Sequence, residues 1–257
     1  MFFITLTLYA TFYLNTISSI QEKVSETKSS SLFKDEQSKE LEDIGLFIFK
    51  DKKSNRIIEI SGNNNKRIKD SHLKLIGNLK EITDLSLEET QITEKGIRHI
   101  TNLQKLEWLN LYKTPINNKG LKEIAKIKSI KLLPIGETKV TDDGMIHLAA
   151  MRQLEYLGLR GNPISNAGTS HLKSLVNIEG LNLAETKISD KTLNHISKFN
   201  HLEKLWIQKT EVSDQSIPVI TNFKKLKQLD VSDTKITTEG IKRIKFKLPY
   251  CEIISSK

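Results

Sequence analysis

The chain has 257 residues, a formal charge of +9 and a single cysteine. One extended domain plus a leader fills that length without a second globular unit. The lone cysteine excludes an intramolecular disulfide, so the fold must rest on packing alone, and the composition is that of an ordinary soluble protein.

Residues 2–14 (FFITLTLYATFYL) form an uncharged apolar run followed by Asn15, Thr16, Ser18 and Ser19. The run is shorter than the roughly 20 apolar residues a membrane span needs. It suits a secretory core with Thr16 and Ser18 as the small residues of a cleavage site, although no Lys or Arg precedes it. The expectation for residues 1–20 is a signal peptide, or an uncleaved membrane anchor. The location is then secreted, periplasmic or in the cell envelope, or membrane-anchored. Residues 21–35 are polar and rich in Ser and Lys, as in a flexible linker.

Residues 36–78 read as a cap with an atypical first repeat. The pattern predicts a helix from Glu36 to Ile44 ended by Gly45, then strands Leu46–Phe49 and Arg56–Ile60 joined by the turn Asp51–Asn55. Ile58 and Ile60 match the strand positions of the repeats that follow. Ile68, Leu73 and Ile76 match their second half once three extra residues around Asn63–Asn65 are allowed.

From Leu79 a unit of 24 residues recurs seven times without insertion, starting at Leu79, Leu103, Ile127, Met151, Leu175, Phe199 and Phe223 and filling residues 79–246. A fixed period of this length marks a solenoid. Its apolar spacing is L-x-x-I-x-x-L-x-L-x-x-T-x-I. Leu85-x-Leu87 is a short strand with one buried face, and Ile92, Ile97 and Ile100 have helical spacing. The fifteenth position is always Thr, Ser or Asn (Thr93, Asn117, Thr141, Ser165, Ser189, Ser213, Thr237), each suited to cap a helix. Three residues on stand Gly96, Gly120, Gly144, Gly168, Thr192, Ser216 and Gly240, expected to let helix and strand layers pack closely. The twelfth position is Thr in six copies and Asn162 in the fourth. It needs a hydrogen-bond partner in the turn of its own or the neighbouring repeat.

This unit resembles the leucine-rich repeat, L-x-x-L-x-L-x-x-N-x-L, with Thr mostly in place of Asn, over roughly residues 55–257. The style of its second half is similar to bacterial members of that family. The resemblance implies an α/β leucine-rich repeat solenoid with a parallel concave sheet and short convex helices. It also implies a protein ligand, though a fold alone does not assign function. At the C-terminus, residues 247–257 read as a cap strand within Leu248–Ile254. Tyr250 and Ile253 take the places of Ile82 and Leu85, and Cys251 is expected to be a packed thiol.

With Leu85 and Leu87 inward, the alternate residues form three lanes on the concave sheet. They are Asp84, Trp108, Leu132, Tyr156, Gly180, Lys204, Gln228; then Ser86, Asn110, Pro134, Gly158, Asn182, Trp206, Asp230; then Glu88, Tyr112, Gly136, Arg160, Ala184, Gln208, Ser232. Both tryptophans of the chain fall here. The expectation is a shallow central depression over Gly136, Gly158 and Gly180 with aromatic walls. There Trp108, Tyr112, Leu132, Tyr156 and Trp206 would make apolar contact, and Arg160, Asn182 and Asp230 would orient a protein or peptide ligand. Pro134 should make the third repeat irregular, and Pro218 should distort the helix of the sixth.

The lysines are spread over the expected convex face, so nucleic acid is not the expected partner. His99, His147, His171 and His195 share one repeat position, but convex positions diverge too far for one metal. The sequence holds no Cys-x-x-Cys, His-Glu-x-x-His, Gly-x-Ser-x-Gly or phosphate-loop motif. The reading is a non-enzymatic, monomeric interaction module without cofactor. Its rivals are a cell-envelope glycan binder and an adaptor resembling ubiquitin-ligase substrate receptors. Membrane contact is expected only through an uncleaved anchor.

Overall fold

The computed structural model describes residues 38–257. The chain divides into two compact units, Met1–Ile44 and Gly45–Lys257. In the first, residues 38–43 are helical. The expected leader and linker lie outside the described residues.

The second unit is built on one sheet whose ten strands follow chain order among the described residues. β1 (Phe47–Lys50) runs antiparallel to β2 (Ile57–Ser61). Parallel to β2 follow β3 (Asp84–Ser86), β4 (Trp108–Asn110), β5 (Leu132–Pro134), β6 (Tyr156–Gly158), β7 (Gly180–Asn182), β8 (Lys204–Trp206), β9 (Gln228–Asp230) and β10 (Glu252–Ile254). Each strand is short because the repeat leaves it quickly. The residue at the eleventh position has left-handed φ in every copy: Glu89, Lys113, Glu137, Gly161, Glu185, Lys209 and Asp233. That conformation costs a non-glycine residue about 1 kcal/mol. It turns the N–H toward the next repeat, where Glu89 reaches the Tyr112 carbonyl at 2.9 Å and Glu137 that of Arg160 at 2.7 Å.

Behind the sheet, Leu85, Leu87, Ile92, Ile97, Ile100, Leu103 and Leu106 are fully buried, and their counterparts repeat the pattern. Each such side chain contributes roughly 1.5–3 kcal/mol of hydrophobic stabilisation. The second half of each repeat is α-helical in some copies, as in Asn118–Ile124, and 3-10 in others, as in Asp142–Ala150. Segments of one or two turns are too short for cooperative α-helix, so packing decides their local form.

The twelfth-position threonines bond within their own turns: Thr90 to the Leu87 carbonyl at 2.7 Å, Thr114 to Leu111 at 2.6 Å. Asn162, being longer, crosses to the preceding repeat. Its amide donates to the Ile135 carbonyl at 2.8 Å and its oxygen accepts from the Thr138 N–H at 2.8 Å.

A second polar ladder runs through the sixteenth position. Asp70, Asn118, Asp142, Asn166, Asp190 and Asp214 each accept from the backbone N–H of Thr93, Thr141, Ser165, Ser189, Ser213 and Thr237 in the following repeat, at 2.8–3.0 Å. Where the rung is Asp, the Thr or Ser hydroxyl donates to the other carboxylate oxygen and keeps a lone pair for the helix N–H. Where it is Asn, the side-chain NH2 takes that lone pair, and Thr141 and Ser189 do not cap their helices. The expectation that every fifteenth residue caps is corrected at these two.

Most of the eighteenth-position glycines are small for the same reason, and only Gly120, whose Cβ would meet Ile116, keeps the close packing that was expected. A Cβ on Gly144, Gly168 or Gly240 would lie 2.2–2.4 Å from the rung oxygen of Asn118, Asp142 or Asp214. Thr192 and Ser216, which replace glycine, instead donate a hydroxyl to the rungs Asn166 and Asp190.

Three local expectations change, for Ile58, Tyr250 and Pro218, and the irregularity expected at Pro134 is found. Ile60, not Ile58, takes the place of Leu85, and Gly62 falls where Leu87 stands, with Leu46 and Ile68 filling the missing side chain's volume. Tyr250 occupies Ile82's place but is 97% exposed, whereas Leu248 and Cys251 are buried. Pro134 leaves β5 intact, but β4 and β5 register only Trp108↔Leu132 because the N–H that would meet the Leu109 carbonyl is missing. Pro218 sits in the first turn of the helix Ile217–Ile220, after a separate 3-10 turn, where its missing N–H costs nothing.

Candidate functional site

The register places the lanes side by side. Asp84, Trp108 and Leu132 are neighbours, as are Leu132, Tyr156, Gly180 and Lys204. Asn182, Trp206 and Asp230 are neighbours in the second lane. Trp108, Tyr112, Tyr156, Arg160, Asn182, Trp206 and Asp230 are half-buried, and Leu132 is exposed.

The expected depression is not open. Tyr156 lies across Gly180, where a Cβ would meet its Cδ2 at 2.8 Å, and beside Gly158. It ends edge-on against Trp206, with ring centroids 6.3 Å apart at 75°. Such a pair is worth about 0.5–1.5 kcal/mol beyond its buried area. Tyr112 lies over Gly136 in the same way. Gly136 and Gly180 therefore seat rings from the preceding repeat, and Gly158 leaves room for the Tyr156 hydroxyl end. Burial raises the Tyr156 phenol above its usual range, and a hydrogen bond with Asn182 opposes that shift.

The polar groups of the expected site, including the hydroxyl of Tyr112 and the three residues expected to orient a ligand, are largely engaged. Tyr112 donates its hydroxyl to Glu137. Burial first, and that bond second, push its phenol up to about 12. Arg160 pairs with Glu185 at 3.0 Å, and Lys209 shares the same carboxylate at 3.1 Å. Asn182 and Asp230 accept from the N–H two residues on, Ala184 and Ser232, and so stabilise the strand exits. The structure thus joins Tyr156 with Trp206, and sets the Tyr112–Glu137 and Arg160–Glu185 pairs close enough to feel each other's charge. Leu132 stands in register between Trp108 and Tyr156, and Asp230 stands beside Trp206.

Two residues of this face escape the sequence reading. Phe47 pairs with Ser61 and Phe49 with Glu59, and those partners pair with Ser86 and Asp84. Side chains of directly paired strand residues share a face, so Phe47 and Phe49 extend the second and first lanes. They are 71% and 50% exposed. The alternation Phe47-x-Phe49 is the available signal, but its face depends on the antiparallel pairing.

Cys251 is buried, and burial, aided by Glu252, pushes its thiol up to about 11, the opposite of an activated nucleophile.

A profile described as Leucine Rich repeat matches residues 224–245. The structure is similar to that of an internalin (inlF) from Listeria monocytogenes, with 26% identity and a TM-score of 0.59 over 72% of this chain; the chain spans 50% of that protein's length. It is also similar in fold to an internalin C2 (inlC2) of the same organism, at 24% identity and a TM-score of 0.65, covering 78% of this chain and 81% of that one. No curated protein sequence matches significantly. Its repeating unit, its parallel sheet and these likenesses give the chain the leucine-rich repeat solenoid fold.

Proposed function

We propose that the chain is a non-enzymatic interaction module that holds a protein or peptide on the open face of its sheet. The observation that carries this is the continuity of that face, in which each strand pairs with the next in chain order. It presents Trp108 and Leu132, then the Tyr156–Trp206 pair, half-exposed on strands that a packed core holds rigid. Aromatics grouped at the centre of a rigid surface are the usual anchors of protein interfaces. Because Tyr156 already covers the central glycines, the partner meets a nearly flat aromatic platform and not a pocket. Arg160 and Asn182 shape that platform more than they contact the partner. In this reading residues 79–246 carry the surface, residues 45–78 and 247–257 close its ends, and the apolar leader exports a monomeric chain to the cell envelope or beyond.

The test is capture of partners from envelope extract by the full chain, beside a Trp108→Ala/Tyr156→Ala/Trp206→Ala variant whose fold is verified by circular dichroism. A protein retained by the native chain and lost by the folded variant is the expected result. Equal retention by both would refute the placement on this face.

A further inference from the structure

The open face is not uniform in charge. Across β2 to β4 its three lanes hold Glu59 and Asp84, Ser61 and Ser86, and Glu88, with no cation among them. Elsewhere in the described residues Glu81, Glu89, Glu107, Glu123, Glu185, Glu203, Glu211 and Glu239 each pair with a Lys or Arg, while scattered carboxylates such as Glu155, Glu179 and Asp230 do not; what sets this third of the face apart is that its three carboxylates stand together on adjacent strands. Glu59, Asp84 and Glu88 have no such ion pair among those residues. Lys113, whose charge Glu88 also feels, is bonded to Glu89. Glu88 accepts only a neutral bond, from Asn110 at 3.1 Å, and Asp84 only the Thr83 hydroxyl. On a chain of charge +9, three carboxylates left without cations on one sheet face form a local reversal of sign.

That patch is bordered by aromatics on both sides, with Phe47 and Phe49 on β1 and Trp108 on β4. The three strand spacings between them span about 14 Å, the length of roughly four extended residues. We propose that this N-terminal third of the open face takes a lysine- or arginine-rich segment of the protein partner. The inference rests on the reading that the open face is the recognition surface, and it assigns the chemistry of what binds there. Lys and Arg bury apolar stems while keeping their charged ends free, and those ends are drawn to aromatic faces. Phe49 and Trp108 offer such faces, and Glu59, Asp84 and Glu88 receive the charge. The chain's excess of lysine does not oppose this, because charges more than about 8 Å away are screened at physiological salt.

The experiment selects random displayed peptides on the full chain. Enriched peptides are then titrated against it and three variants: Glu59→Gln/Asp84→Asn/Glu88→Gln, the single charge reversal Glu59→Lys, and the triple aromatic variant above. Circular dichroism melting checks each fold. The expected result is enrichment of Lys- and Arg-rich peptides whose affinity falls about tenfold on the carboxamide variant, from the loss of three half-exposed charge contacts. Glu59→Lys should weaken the same peptides with only one side chain changed. Peptides lost on the aromatic variant but without basic enrichment, or indifferent to the carboxamide variant, would overturn this inference and leave the open-face reading standing. Peptides insensitive to every variant, or no enrichment, would overturn both.

Discussion

Gly168→Ala and Gly120→Ala are the same substitution at the same repeat position, and the structure assigns them different costs. A Cβ at Gly168 would lie 2.3 Å from Asp142 Oδ1 and 3.0 Å from the Asp142 Cα, so the backbone of the rung blocks any easy retreat. The carboxylate must move, and with it go the bonds to the Ser165 N–H and hydroxyl. Hydrogen bonds to a charged group are worth about 1.5–3 kcal/mol each. Replacing a helical glycine by alanine returns up to about 1 kcal/mol. The net expectation for Gly168→Ala is a loss of about 2–5 kcal/mol. At Gly120 the corresponding rung residue is Glu94, which makes no such bond among the described residues. The new Cβ meets only Ile116 at 3.0 and 3.3 Å and the Glu94 Cβ at 3.6 Å. Crowding and propensity then nearly cancel, leaving a change within about 1 kcal/mol. Neither glycine has a left-handed φ, so backbone strain does not enter. Urea unfolding followed by circular dichroism measures both, with the slope checked for constancy because repeat proteins can lose cooperativity. Equal destabilisation of the two variants would refute the argument that the ladder, and not helix packing, selects glycine here.

Glu94→Asp shortens the side chain at the one rung the ladder lacks; it should add a bond to the Asn117 N–H and raise stability by about 1 kcal/mol, read by the same unfolding curves. Pro134→Ala restores an N–H opposite the Leu109 carbonyl, so hydrogen exchange should show a newly protected amide at residue 134. Burial raises the Asp190 carboxyl, but the bonds from Ser216 and Ser213 outweigh it and lower the pKa overall. A lowered folded value means that its contribution is complete above the unfolded pKa of about 3.9 and fades as pH falls through the folded value. Asp190→Asn should therefore flatten the loss of stability below about pH 4 in pH-dependent melting. Cys251, with its thiol raised to about 11, should be alkylated by iodoacetamide at pH 8 about 100-fold more slowly in the native chain than in urea.

The amino-acid sequence by itself determines much of this protein. Leu85-x-Leu87 and the spacing of Ile92, Ile97 and Ile100 carry the two halves of the repeat. Both are local patterns, and an unbroken period lets each copy place the next. The lanes of the open face follow from strand alternation alone, so Trp108, Leu132, Tyr156 and Trp206 fall where alternation puts them. What tertiary structure decides lies between repeats. Asp142 reads as a helix-start residue in its own copy, and only the stacking of copies aims it at Ser165 and explains Gly168. Gly158 and Gly180 read as empty space, but Tyr156 lies over them and meets Trp206, because a ring on a sheet face covers whatever backbone its neighbour leaves bare. Phe47 and Phe49 need the antiparallel pairing of β1 to be assigned a face at all. A periodic sequence determines which side of the sheet each residue occupies, since alternation is a property of one strand. Which way a side chain leans on that side, and what it finds there, depends on residues 24 positions away in the chain, and these become neighbours only when the solenoid closes its ladder.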